Sequence, residues 1–176
     1  MKIRLSSPLQ SDSIVDGEGI RAVIWTQGCP HHCKGCHNPE THSFDKGFLK
    51  DTSELIEEIK KLELQDGITF SGGDPMMQPD ACTEIAKTCK ELGLNIWCYT
   101  GFTFEEVLED PKKTEFLKYI DVLVDGKFEL AKKSYDAMYR GSTNQRIINV
   151  KESLKKGKCV TIRKYKRKQP ITLNLF

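Results

Sequence analysis

The chain has 176 residues, 38% hydrophobic and 30% charged, with a formal net charge of +2. That is the make-up of an ordinary soluble globular protein, long enough to bury about 70% of its unfolded surface. No apolar run approaches the ~18 residues of a membrane span, the opening Met-Lys-Ile-Arg-Leu lacks the apolar stretch of a signal peptide, and the small net charge gives no global pull toward nucleic acid. These features predict one domain over residues 1–176, cytoplasmic, with neither a membrane nor a nucleic-acid partner.

In chain order, Arg21 to Gln27 reads as a buried strand, and a cysteine-rich loop follows it. Thr52 to Leu64 reads as a helix, because Leu55, Ile56, Ile59 and Leu62 recur at helical spacing and Asp51 or Thr52 can cap it. Gly67 to Ser71 is a short strand ending in Gly72-Gly73-Asp74-Pro75. A second helix is predicted from about Pro79 to Leu92, with Cys82, Ile85, Ala86, Cys89 and Leu92 on its inward face, which makes Cys82 and Cys89 small core residues rather than ligands. Gly93 ends it. Asn95 to Tyr99 is a third strand, Thr103 to Tyr119 a helical stretch with a break near Pro111, and Ile120 to Asp125 a fourth strand. Arg146 to Asn149, Cys159 to Ile162 and Ile171 to Leu175 are candidate short strands. Trp25 and Trp97 read most simply as core, and His31 and His32 as exposed.

Alternating strands and helices argue for an α/β fold, a mostly parallel sheet with crossover helices outside it. In such sheets ligands gather at the carboxyl ends of the strands. The unusual residues fall there: the cysteines after the first of these strands, Gly72-Gly73-Asp74 after the second, Thr100-Gly101 after the third and Asp125-Gly126-Lys127 after the fourth.

Gly28-Cys-Pro-His-His-Cys-Lys-Gly-Cys-His-Asn38 carries Cys29, Cys33 and Cys36 in a Cys-x3-Cys-x2-Cys spacing with no fourth cysteine nearby. Three thiolates can hold three irons of a four-iron cluster and leave one iron open. Structural zinc closes all four positions, and a neighbouring histidine (His31, His32, His37 or His42) would do that here. On spacing alone, iron–sulfur and zinc both remain. A disulfide framework fits poorly, since the cysteines number seven. A second local feature is the basic run Lys151, Lys155, Lys156, Lys158, Arg163, Lys164, Lys166, Arg167 and Lys168 against a single Glu152. It reads either as a solvated helix face and tail or as a docking extension over residues 151–176 for an acidic partner.

The cysteine triplet followed by Ser71-Gly-Gly-Asp-Pro75 resembles the radical S-adenosylmethionine superfamily, with Gly-Gly-Asp a variant of its Gly-Gly-Glu motif. Asp16-Gly-Glu-Gly-Ile-Arg21 is similar to a segment of glycyl-radical activating enzymes. Asp121-Val-Leu-Val-Asp-Gly-Lys-Phe128 and Tyr139-Arg-Gly-Ser-Thr-Asn-Gln-Arg146 resemble the branch that activates anaerobic ribonucleoside-triphosphate reductases. Many relatives have an aromatic residue where this chain has Gly35, and Glu where it has Asp74; both variants occur in that branch.

The resemblance implies a partial (β/α) barrel of about five to six βα units or fewer. It also implies a [4Fe-4S] cluster on Cys29, Cys33 and Cys36, with the open iron chelated by S-adenosylmethionine. One electron from the cluster would cleave the sulfonium, and the 5′-deoxyadenosyl radical would take hydrogen from a glycine of the reductase. Gly72 and Gly73 would let backbone approach the methionine end, and Asp74 would accept a hydrogen bond from its amino group. Gly35, Cys36 and His37 would lie near the adenosine, Lys127 near the carboxylate, and Asp125 at the rim. The implied partners are the large catalytic subunit of the reductase and a flavodoxin- or ferredoxin-type electron donor. Asp16 to Gly19 reads either as a turn or as a cover for the site, and Arg140 to Arg146 as a surface loop or as a part of docking or closure. An activase of another glycyl-radical enzyme, such as pyruvate formate-lyase, and a non-enzymatic zinc or iron–sulfur module are the competing readings.

Overall fold

Four apolar segments lie side by side and parallel in the computed structural model, which describes residues 1–166. They are β3 (Arg21–Thr26), β5 (Gly67–Gly72), β6 (Asn95–Tyr99) and β7 (Val122–Asp125). Each pairs in parallel with the next, β3 with β5, β5 with β6 and β6 with β7. Helices α1 (Thr52–Lys60), α2 (Pro79–Glu91), α3 (Phe104–Leu108) and α4 (Pro111–Leu117) lie in the connections.

Strand alternation divides the sheet into two unlike faces. Ala22, Ile24, Ile68, Phe70, Ile96, Cys98 and Leu123 point to one side and form the main core with Leu55, Ile59, Cys82, Ile85, Cys89, Phe116 and Leu117 from the helices. Both Cys82 and Cys89 are buried there, as the helical periodicity predicts. The opposite face holds a smaller cluster of Trp97, Val122, Val124 and Ile147 with Tyr165. Trp97 is therefore core, but Trp25 on that face is only half-buried and its indole Nε1 donates to Gln10 Oε1 at 3.0 Å.

The predicted break near Pro111 has a capping cause. Thr103 and Glu106 form a reciprocal capping box at the start of α3, and Asp110 accepts the backbone N–H of Lys112 and Lys113 at the start of α4, with Pro111 at its first turn. The periodicity misses the antiparallel flanks. β1 (Lys2–Leu5), β2 (Gln10–Ser13) and β4 (Phe48–Asp51) lie beyond β3, and β8 (Arg146–Asn149) pairs antiparallel with β7. The path runs β4-β1-β3-β5-β6-β7-β8, with β2 on the edge of β3. Short polar runs such as Gln-Ser-Asp-Ser carry no strand signal of their own and are recruited by the edge of β3. The segment predicted as a strand over Cys159 to Ile162 makes one bridge, Thr161 to Ile148. It follows helix α5 (Val150–Lys156), which Asn149 caps and Gly157 ends in a left-handed conformation. The predicted strand over Ile171 to Leu175 and the basic residues Arg167 and Lys168 lie outside the described residues. Among the described residues, no helix is long and apolar enough to cross a membrane.

Candidate metal centre

Two loops leave adjacent parallel strands and dock on each other. The cysteine loop leaves β3, where Gly28 N–H donates to Thr41 O and Cys29 N–H to His42 O. The Gly-Gly-Asp loop leaves β5 and continues the pairing: Gly73 N–H donates to Thr26 O at 2.7 Å and Asp74 N–H to Gly28 O at 2.8 Å. A Cβ at Gly72 would stand 2.4 Å from Thr26 O, and one at Gly73 2.4 Å from Gly28 O. The need for glycine at both positions follows from this backbone contact.

Cys29 is buried, Cys33 and Cys36 half-buried, and all three are free thiols. The Cys36 sulfur accepts a hydrogen bond from the Asn38 backbone N–H at 3.4 Å, and the backbone N–H groups of His31 and Phe128 pull the Cys29 and Cys33 pKa values down. Burial pushes the Cys29 thiol up to about 11, and neighbouring Asp74, Cys33 and Cys36 add to the rise. Burial also raises Cys33, against the pull of the Phe128 N–H and the Lys127 ammonium. Three free cysteines on one short loop are a donor set that suits an iron–sulfur group, whose potential hydrogen bonds to sulfur such as that of Asn38 to Cys36 tune.

Asp74 is held entirely within the protein. Its carboxylate has no solvent exposure and already accepts four donors. Met76 N–H donates to Oδ1 at 3.0 Å and Gly101 N–H to Oδ2 at 3.0 Å, while the Thr100 hydroxyl lies 2.9 Å from both oxygens. His31 Nε2 is the fourth, 2.6 Å from Oδ2. The His31 side chain is 6% exposed, which corrects the expectation that it faces solvent; His32 does face solvent. Donor atoms of Cys29, His31 and Asp74 lie within 4.8 Å of one another, but the His31–Asp74 bond occupies two of them.

A cavity of about 460 Å³ opens beside the cysteine loop on the face away from the helices. This lies in the range of small-molecule sites, about 300–1,000 Å³. Cys36 and His37 reach it, together with Ser71 and Tyr99 from the strand ends and Asp16 and Arg140 from the flanking loops.

The family described as "4Fe-4S single cluster domain" matches residues 15–148. Proteins named anaerobic ribonucleoside-triphosphate reductase-activating protein are similar over most of their length. That of Pasteurella multocida is 35% identical over 142 residues, 75% of this chain and 89% of the relative. That of Enterobacteria phage T4 is 37% identical over 143 residues, 76% and 86%, and that of Escherichia coli K12 33% over 141, 75% and 90%. The chain belongs to this family of reductase-activating proteins.

With the family in hand, the remaining residues separate. Gly35 turns the cysteine loop at φ +76, with Leu130 at 2.9 Å from where a Cβ would stand. Lys127 is exposed and close enough to Cys33 to favour its thiolate. Asp125 belongs elsewhere: it is 1% exposed, shares the helix-facing side of β7 with Leu123, and bonds Phe104 N–H and Arg146. Asp16 lines the cavity, whereas Glu18 bonds Lys164 and Tyr165 instead. Arg140, Gly141 and Gln145 form a cavity wall, so the Arg140–Arg146 segment is more than a surface loop. Tyr99, Trp25 and Ser71 were missed as lining residues; their alternation with Cys98, Ile24 and Phe70 is the signal that would have found them.

Proposed function

We propose that this protein activates an anaerobic ribonucleoside-triphosphate reductase, with a [4Fe-4S] cluster held by Cys29, Cys33 and Cys36 and S-adenosylmethionine bound at the open iron. When bound, the cluster and S-adenosylmethionine supply one-electron reductive cleavage of the sulfonium, and with it the power to remove a hydrogen atom from a glycine of the reductase. Carrying this reading is one observation: three free thiols on a single loop at the carboxyl end of a parallel strand, with Cys36 at the edge of a cavity.

The chain's own residues bind, orient and exclude water. Gly72 and Gly73 hold the neighbouring loop hard against the cysteine loop, which keeps the thiols in place. Gly35, Cys36 and His37 present backbone and ring edge to the nucleoside part of the ligand. Lys127 supplies positive charge beside Cys33, suited to a carboxylate. Trp25, Tyr99 and Tyr139 give the cavity an aromatic wall on which the ligand can pack. The reading includes a partial (β/α) barrel, supported by the three parallel pairs with helices on one face. It also includes a cytoplasmic setting, a flavodoxin- or ferredoxin-type electron donor and the large catalytic subunit as partner.

Anaerobic reconstitution with iron and sulfide, followed by incubation with reductant, S-adenosylmethionine and the reductase, tests it. A glycyl doublet in electron paramagnetic resonance is expected on the reductase. A doublet only on another glycyl-radical enzyme would reassign the partner. Binding of one zinc with no cleavage of S-adenosylmethionine would reject the activity.

A further inference from the structure

We propose that His31 is a positioning residue, and that Asp74 acts through it as a latch between loops rather than as a direct partner of the S-adenosylmethionine amino group. This inference rests on the function proposed above for its ligand, but not for its geometry.

Asp74 joins three loops that come from three different strands. His31 reaches it from the cysteine loop after β3, Met76 N–H from its own loop after β5, and Thr100 and Gly101 from the loop after β6. A carboxylate offers only acceptors, and His31 Nε2 lies 2.6 Å from Oδ2. Both oxygens are then engaged and neither reaches solvent, which leaves no lone pair facing the cavity for an incoming ammonium. Asp74 is also absent from the residues lining that cavity.

The His31 ring is built into its position. A Cβ at Gly101 would stand 2.4 Å from His31 Cδ2, so a residue with any side chain there would push the ring off Asp74. Phe102 closes the other side, edge-on at 4.5 Å. His31 lies two residues from both Cys29 and Cys33 on the same short loop. A fixed imidazole therefore fixes the loop that carries the thiols. Partners of this kind, one shell out from a metal group, typically change ligand affinity by about 10–100-fold when removed.

The test is a double-mutant cycle on the reconstituted protein with His31→Ala, Asp74→Asn and the pair, reading S-adenosylmethionine affinity by calorimetry, iron content, and amide hydrogen exchange in loops 72–76 and 100–102. We expect each single variant to weaken affinity by about tenfold or more, the pair to be no worse than the weaker single, and His31→Gln, which restores a donor, to recover most of the loss. Exchange should rise in both loops. Thr100→Val removes a donor from a loop outside the cysteine segment and should give the same pattern, which keeps the test decisive where His31→Ala fails to hold iron. Wild-type affinity in His31→Ala beside a large loss in Asp74→Asn would overturn the latch in favour of direct contact, as would additive losses. Unchanged exchange in both loops would overturn it too, and that readout needs no ligand. A wild-type protein that binds no S-adenosylmethionine would reject the proposed function instead.

Discussion

Arg146 on β8 grips Asp125, its cross-strand neighbour on β7, with Nε 3.0 Å from Oδ1 and a terminal nitrogen 2.6 Å from Oδ2. The same carboxylate accepts Phe104 N–H at 2.7 Å, so one buried group ties the last sheet strand to the start of α3. Replacing Arg146 by Met leaves a buried carboxylate short of its main partner. A fully buried pair broken in this way costs about 3–5 kcal/mol. Arg146 keeps 34% of its side-chain surface exposed, so the expected loss is smaller, about 2 kcal/mol. Urea unfolding checks it; a midpoint equal to wild type would show that the pair contributes nothing.

Cys33→Ala should abolish reductive cleavage of S-adenosylmethionine and leave iron well below four per chain, since one of three thiolates is gone. Cys89→Ala, in the helix core, should keep its iron and lose only about 1 kcal/mol of stability. Iron and sulfide analysis with a 5′-deoxyadenosine assay separates the two. Full activity in Cys33→Ala would remove it from the ligand set.

Gly72→Ala meets two obstacles, a φ of +104 and Thr26 O at 2.4 Å from the new Cβ. The left-handed conformation alone costs about 1–2 kcal/mol and the clash about as much again. Gly93 is also left-handed, at φ +75, with nothing within 4 Å, so Gly93→Ala should cost only the first part. Chemical denaturation of both variants checks the order, and equal losses would show that the loop contact yields freely.

Glu18 is held below its usual value of 4.5 by the hydrogen bond from Lys164, then by that from Tyr165. A carboxylate with a depressed folded-state pKa stabilises above its unfolded pKa, and the contribution fades as pH falls through the folded value. Glu18→Gln should therefore lower the stability slightly near neutral pH, by no more than about 1 kcal/mol for so exposed a pair, read as a small drop in melting temperature. The gap to wild type should close below about pH 4. A gap that persists in acid would show that the ionised carboxylate is not what holds Lys164 and Tyr165.

The order of the parallel strands and their helices was legible because Leu55 and Ile59, or Ile85 and Cys89, repeat at helical spacing, and because Gly-rich segments mark each strand's carboxyl end. The cysteine spacing marked a candidate metal loop but left iron–sulfur and zinc both open. Asp74 and His31 could not be read in the same way: a residue's type does not say which of several polar groups will find it once four loops converge. Asp125 misled for a related reason. Position at a strand's carboxyl end puts a residue near the rim, but alternation decides which face it takes, and one residue earlier or later reverses it. The flanking strands β1, β2 and β4 gain their structure from the edge they join rather than from their own composition.

The main core draws on β1, β3, β5 to β8 and the helices and takes in none of Cys29, Cys33 or Cys36, while the loop that bears them is tied down by its own backbone bonds. A core assembled without the three cysteines is expected to fold without iron, in contrast to zinc fingers, which are unfolded until metal arrives. Cluster loading would then be a maturation step on a finished scaffold, checked by circular dichroism and unfolding of the chelator-treated protein.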